Sequence, residues 1–283
     1  MRGLMLGEAA MQYLEQIDQH IPFDCLRKRY IFLDLVEYSQ LMETDPSRAE
    51  QICWSELLMR CHLAGATAIL RSRRWIDGLL SAGAANNLLA FAATLRGLIE
   101  SAADISDALL PIPRTLARHR GRINEALRGA AKVIFRVEGL EDFLIHYTWA
   151  RKVKKGEDAP ESHKAKSVRD YVQILEKGQV PGVVESYETL CDLTHPGARS
   201  VHMWFAAKSD LEFELETGQE AEQIRGFVSE YAEMPLGLLM YAFNLPIVTL
   251  RLLNYFEIPY FHTPELEAWN LSGIRVWRDI EKD

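Results

Sequence analysis

The stretch from Ala84 to Leu110 constrains the fold more than any other. Its apolar residues Leu88, Phe91, Ala92, Leu95, Leu98, Ile99, Ala102, Ile105 and Leu109 recur three and four apart, the period of a helix with one buried face. Alanine fills much of the remainder and favours the helix further. Pro111 and Pro113 end this helix and open the next, because proline lacks an N–H and is tolerated in a first turn. Asp45–Pro46 starts an earlier long helix, with Asp45 as N-cap, expected to reach about Arg73. Further helices are expected from near Ser167, over Val183–His195, and from about residue 218, the last interrupted near Pro235 and Pro246.

One segment has another period. LEFELE, residues 211–216, alternates strictly, which suits a strand with one buried face. Val201–Ala207 before it is apolar, and Lys208–Ser209–Asp210 can turn the chain. The expected fold is mostly α, a multi-helix bundle with one small β-hairpin near residues 201–217. It is read as a single helical domain over residues 1–283. Residues 151–167, RKVKKGEDAPESHKAKS, hold Val153 as their only large apolar residue and read as an exposed or disordered loop.

The chain is 48% hydrophobic and 25% charged, as expected of a soluble globular protein with a sizeable core. The apolar run Pro235–Phe256 is broken by Asn244, Pro246, Arg251 and Asn254. It reads as a kinked core helix, since a membrane span wants about 20 apolar residues in succession, and no membrane association is expected. Cys25, Cys53, Cys61 and Cys191 form no CxxC pair, and the apolar block Leu4–Leu6 is too short for a signal peptide. The expected location is cytoplasmic. GxGxxG, Walker, GxSxG and HExxH motifs are absent from the sequence, which argues against nucleotide cradles and standard serine or zinc hydrolases. Cys53, Cys61 and His62 read as packing residues rather than metal ligands. No metal or cofactor is expected.

Charge is unevenly spread. Residues 111–155 hold eleven Lys or Arg and four acids, a local +7 within a chain of net −8, which leaves −15 for the rest. Arg114, Arg118 and Arg122 fall four apart on one helical face, with Arg120 beside them. That is the footprint of a phosphate-backbone contact, and RNA is the candidate ligand. The competing reading is a solvated face that balances acids elsewhere in the protein.

Two polar constellations stand out. Tyr187, Cys191 and His195 lie four apart in YETLCDLTHPG, on one helical stripe. Pro196 disfavours helix at His195 and places it at the C-terminal cap. There the helix dipole and Asp192 favour the imidazolium, within reach of acid–base chemistry. Its other reading is a cap that bonds a free carbonyl. Arg96, Glu100, Asp104 and Asp107 form a stripe nearly opposite the apolar face of their helix, bordered by the small residues Ala90, Ala93 and Gly97. The alternative there is plain solvent exposure.

A helix with Arg96-x-x-x-Glu100, followed some ninety residues on by Tyr187-x-x-Leu190-Cys191-x-x-x-His195-Pro196, resembles a group of uncharacterised bacterial all-α proteins. These are loosely similar to the HEPN superfamily. The resemblance implies a helical module of bacterial defence or toxin–antitoxin type that binds RNA or cleaves it without metal. In that reading His195 is the general acid/base, Arg96 stabilises the phosphorane, and Tyr187 and Glu100 orient them. HEPN ribonucleases pair Arg-x4–6-His, and the one match in this chain is Arg114–His119, so two catalytic sets compete. The alternative is a non-enzymatic protein that binds a protein partner or forms a homodimer. There Arg96, Glu100, Tyr187 and His195 form a buried network that fixes helix register.

Overall fold

The structure is a computed structural model that describes residues 5–131, 134–178 and 180–282. Lys132, counted in the basic segment above, lies outside the described residues. The protein is mostly helical, with one two-stranded antiparallel hairpin among the described residues. The chain forms two compact units, each of three segments. Unit 1 comprises Met1–Gln16, Leu70–Asp104 and Ser167–Ala242, and unit 2 comprises Ile17–Ile69, Ile105–Lys166 and Phe243–Asp283.

In chain order the helices are α1 (Glu8–His20), α2 (Leu35–Thr44), α3 (Pro46–Ala84), α4 (Leu88–Leu109), α5 (Pro111–Leu127), α6 (Leu140–Trp149), α7 (Val168–Lys177), α8 (Val183–Thr194) and α9 (Ala198–His202). The strands β1 (Phe205–Ser209) and β2 (Glu212–Leu215) follow, then α10 (Glu220–Glu230), α11 (Met234–Leu253) and α12 (Arg275–Ile280).

Asp45 caps α3 by accepting the Arg48 N–H at 3.0 Å. The helix does not stop near Arg73 as expected but continues to Ala84. Its buried face persists through Ser72, Ile76 and Leu79, and Arg73 and Arg74 both reach Asp77 one turn on. Asn87 caps α4, accepting the Ala90 N–H at 2.9 Å. Helix α11 is also continuous where an interruption was expected, with Pro246 inside it. The break falls only before Met234. Pro246 forfeits one backbone bond, and the heavy burial of Phe243, Ile247, Val248 and Leu250 outweighs it. Helix α11 is long and apolar enough to cross a membrane, but 67% of that window is buried inside the fold.

In unit 1, α4 lies against α3 closely enough that a Cβ on Gly97 would stand 2.6 Å from the Trp75 indole. Glu220 accepts the Leu88 N–H at 3.1 Å and ties α10 to the start of α4. In unit 2, buried Glu50 accepts the Phe135 N–H at 2.8 Å, and Trp54 Nε1 donates to the Phe135 carbonyl at 3.2 Å. Together they fix the segment after α5. His62 is fully buried in the same unit, its Nδ1 2.7 Å from the Tyr30 hydroxyl and its ring edge-on to Phe261. Burial, reinforced by the charge of Lys28, lowers the His62 pKa to about 4. Residues 151–167 hold no buried residue, and they close on themselves through the Arg151–Glu157 ion pair and backbone bonds of Arg151 with His163 and Ala165.

The hairpin departs from expectation in two respects. Val201 lies in α9 rather than in a strand, so the first strand opens at Phe205. The alternating face of β2 is not buried: Leu211, Phe213 and Leu215 are 95%, 63% and 66% exposed.

Candidate functional site

The first constellation sits in unit 1, where α8 faces α4. Leu190 and Leu193 are buried on α8, as are Leu95, Leu98 and Ile99 on α4. That burial brings the polar edges of the two helices together. The Tyr187 hydroxyl donates to Glu100 Oε1 at 2.6 Å. Arg96 Nη1 donates to Thr194 Oγ1 at 2.5 Å, and Arg96 Nη2 lies 3.5 Å from the Tyr187 oxygen and 3.6 Å from Glu100 Oε1. The guanidinium also lies over the Tyr187 ring, 5.5 Å from its centroid. Burial pushes the Tyr187 phenol well above its ordinary range, and the bond to Glu100 adds to this while Arg96 opposes it. Tyr187 is therefore a hydrogen-bond donor in this site, not a base. Partial burial works against the Arg96 charge, but the bond to Tyr187 and the neighbouring Cys191, Tyr187 and Glu100 groups hold its pKa above the ordinary value.

The structure thus brings together Arg96, Glu100 and Tyr187, with Thr194 as a fourth member that the sequence pattern did not single out. Thr194 was legible only as a neighbour of the stripe. His195 is the C-cap of α8, with extended backbone and its N–H bonded to the Cys191 carbonyl at 2.8 Å. Its ring is exposed and makes no hydrogen bond, ion pair or ring contact among the described residues. Asp104 bonds Arg71 at 2.6 Å, and Asp107 bonds Lys166 at 2.5 Å. The acidic stripe of α4 is therefore partnered rather than simply solvated.

The second constellation is the basic face of α5 in unit 2. Arg114 is paired with Asp279 of α12 at 2.5 Å, and this contact lowers the Asp279 pKa. Arg128 is paired with Glu257. Arg122 lies over the Phe135 ring, 4.0 Å from its centroid. His119 packs near the same ring at 5.3 Å, and partial burial with Arg118 and Arg122 nearby lowers its pKa. Arg114 and His119 thus have different neighbours. Five residues apart on a helix, they point about 140° away from each other, so the structure does not join them.

Arg118 and Arg120 remain. Both are exposed, and neither has a carboxylate partner among the described residues. They line an open groove with Ala117, Leu252, Tyr255, Phe256, Trp277, Ile280 and Glu281, with about 1130 Å³ of empty space. Tyr255 is 40% exposed. Arg120 and Arg251 both place their guanidinium carbons near its ring, at 5.6 and 5.8 Å, and Arg251 also lies 6.0 Å from the Trp277 ring. The result is a ladder of alternating cations and aromatic rings. Tyr255, Trp277 and Arg251 come from the last 33 residues of the chain, and no spacing rule connects them to α5.

Among the described residues no group of three or more His, Cys, Asp or Glu side chains could hold a metal ion. The four cysteines are free thiols. No family model, curated protein or solved structure matches this chain.

Proposed function

We propose that the chain is a helical nucleic-acid-binding module that holds single-stranded RNA in the groove along α5, without cutting it. The observation that carries the reading is the pair Arg118 and Arg120, exposed and without a carboxylate partner, beside the half-exposed ring of Tyr255. Guanidinium groups bind phosphate oxygens in bidentate fashion. An aromatic face beside them accepts a base, and this combination is how single strands are held without sequence preference. The resemblance to HEPN-type proteins supports RNA as the nucleic acid and a bacterial defence or toxin–antitoxin setting.

The reading assigns Arg96, Glu100 and Tyr187 to helix register rather than to catalysis. What supports this is that Arg96 is engaged by Thr194, Tyr187 and Glu100, while the His195 ring makes no contact with them. That network also suits the alternative of a non-enzymatic interaction protein, so the groove must discriminate. The test is fluorescence anisotropy of a labelled single-stranded oligouridine. Binding should weaken steeply between about 50 and 200 mM salt. It should be lost in Arg118→Glu with Arg120→Glu, and Tyr255→Ala should cost about 1–3 kcal/mol. Binding that ignores salt and survives the paired arginine variant would remove the proposal.

A further inference from the structure

The hairpin of unit 1 is exposed on both faces, an unusual state for a two-stranded sheet, which is marginal in water alone. Its register pairs Phe205 with Leu215 and Ala207 with Phe213. Residues directly opposite share a face, so these four make one apolar face. Phe205, Phe213 and Leu215 are 41%, 63% and 66% exposed. Leu211 at the tip is 95% exposed. The other face carries Glu212 and Glu214, with Lys208 reaching Glu214 at 3.0 Å. Among the described residues each strand is paired only with the other, and the outer edge of β2 offers N–H and C=O groups with no strand beside them. Open edges of this kind recruit a further strand.

Charge selects the occupant. Residues 205–222 contain six acids (Asp210, Glu212, Glu214, Glu216, Glu220 and Glu222) against Lys208 alone. A second copy adding its own β2 to this edge would set Glu212 and Glu214 beside the same residues, and like charges opposite one another destabilise a sheet. A strand that alternates lysine or arginine with apolar residues meets both faces favourably. We propose that the β2 edge is a docking site for such a basic, alternating segment of a partner protein, which extends the hairpin by one strand. Backbone bonds to the edge would supply affinity. The Phe205–Phe213–Leu215 face and the glutamate row would set specificity.

The test uses the full chain and a labelled peptide of four Lys-Val repeats, with a Glu-Val peptide and a block Lys4Val4 peptide as controls. The Lys-Val peptide should bind, the Glu-Val peptide should not, and the block peptide should bind more weakly. Phe213→Ser with Leu215→Ser, and separately Glu212→Lys with Glu214→Lys, should each weaken binding about tenfold or more. These side chains are exposed, so thermal melts of both variants should match the parent. If the serine variant melts lower, the lysine variant decides. Equal binding by the parent and the lysine variant, or equal binding of the block and alternating peptides, would overturn the proposal. So would sedimentation showing a dimer that the serine variant abolishes, since the occupant would then be a second copy.

Discussion

The phenol of Tyr187 donates to the carboxylate of Glu100 across 2.6 Å, from α8 to α4. The two residues are 87 positions apart in the chain, and the bond leaves each helix with one register relative to the other. Tyr187→Phe removes the donor and leaves Glu100, among the described residues, with the Arg96 contact alone. The carboxylate is partly exposed, so water can replace the phenol. The expected cost is about 1 kcal/mol, at the low end for an orphaned acceptor. Urea denaturation measures it, and RNA affinity should not change. A Tyr187→Phe protein that keeps its stability but loses RNA binding would return this network to the functional site.

Two glycines, one in α4 and one in α5, should respond in opposite directions to alanine. At Gly97 a Cβ would meet the Trp75 indole at 2.6 Å, and Gly97→Ala is expected to destabilise by about 1–3 kcal/mol. At Gly121 in α5 a Cβ would meet nothing within 4 Å. Gly121→Ala should stabilise by about 0.5–1 kcal/mol through the entropy of the unfolded chain. Thermal melts of the two variants, compared in one buffer, check both signs.

Stability should fall on mild acidification through His62. Its folded pKa is about 4, below the unfolded value of 6.5. The unfolded chain therefore takes up the proton first as pH drops. The contribution is fully present above about pH 6.5 and is lost progressively toward pH 4, up to about 3 kcal/mol. His62→Phe should flatten the pH dependence of the melting temperature over that window. A slope that persists unchanged would assign it to other groups.

His195→Ala should leave folding, RNA affinity and RNA integrity as they were, because the ring is exposed and makes no contact among the described residues. Incubation with total RNA, with and without EDTA, reads this directly. Cleavage by the parent that disappears in His195→Ala would establish an active site at the end of α8 and sink the binding-only reading.

The helical class was legible because apolar residues at three- and four-residue spacing need few assumptions: Leu88 through Leu109 read as one buried face and form one. Boundaries were less legible. The helix from Pro46 was expected to reach about Arg73, but it runs on to Ala84, and the charges of Arg71, Arg73 and Arg74 are met by Asp104 and Asp77. The alternation of residues 211–216 marked a strand correctly and its burial wrongly, since periodicity shows that a face is apolar and not what covers it. The meeting of Arg96, Glu100 and Tyr187 could be guessed from two compatible stripes. The fate of Arg114 could not: its partner Asp279 is 165 residues away, and nothing local to either residue announces the pair.

Both units are assembled from three separated stretches of chain, and this has a consequence for synthesis. Unit 1 cannot close until the polypeptide has been made as far as Ala242, and unit 2 also needs residues beyond Phe243. The apolar faces of α3 and α4 are complete by Leu109, yet α8, which packs on α4, begins only at Val183, and α10, tied to the start of α4 through Glu220, begins later still. Apolar surface left open during elongation is prone to aggregation. A stop codon anywhere before the last third would release two half-built cores rather than one finished unit.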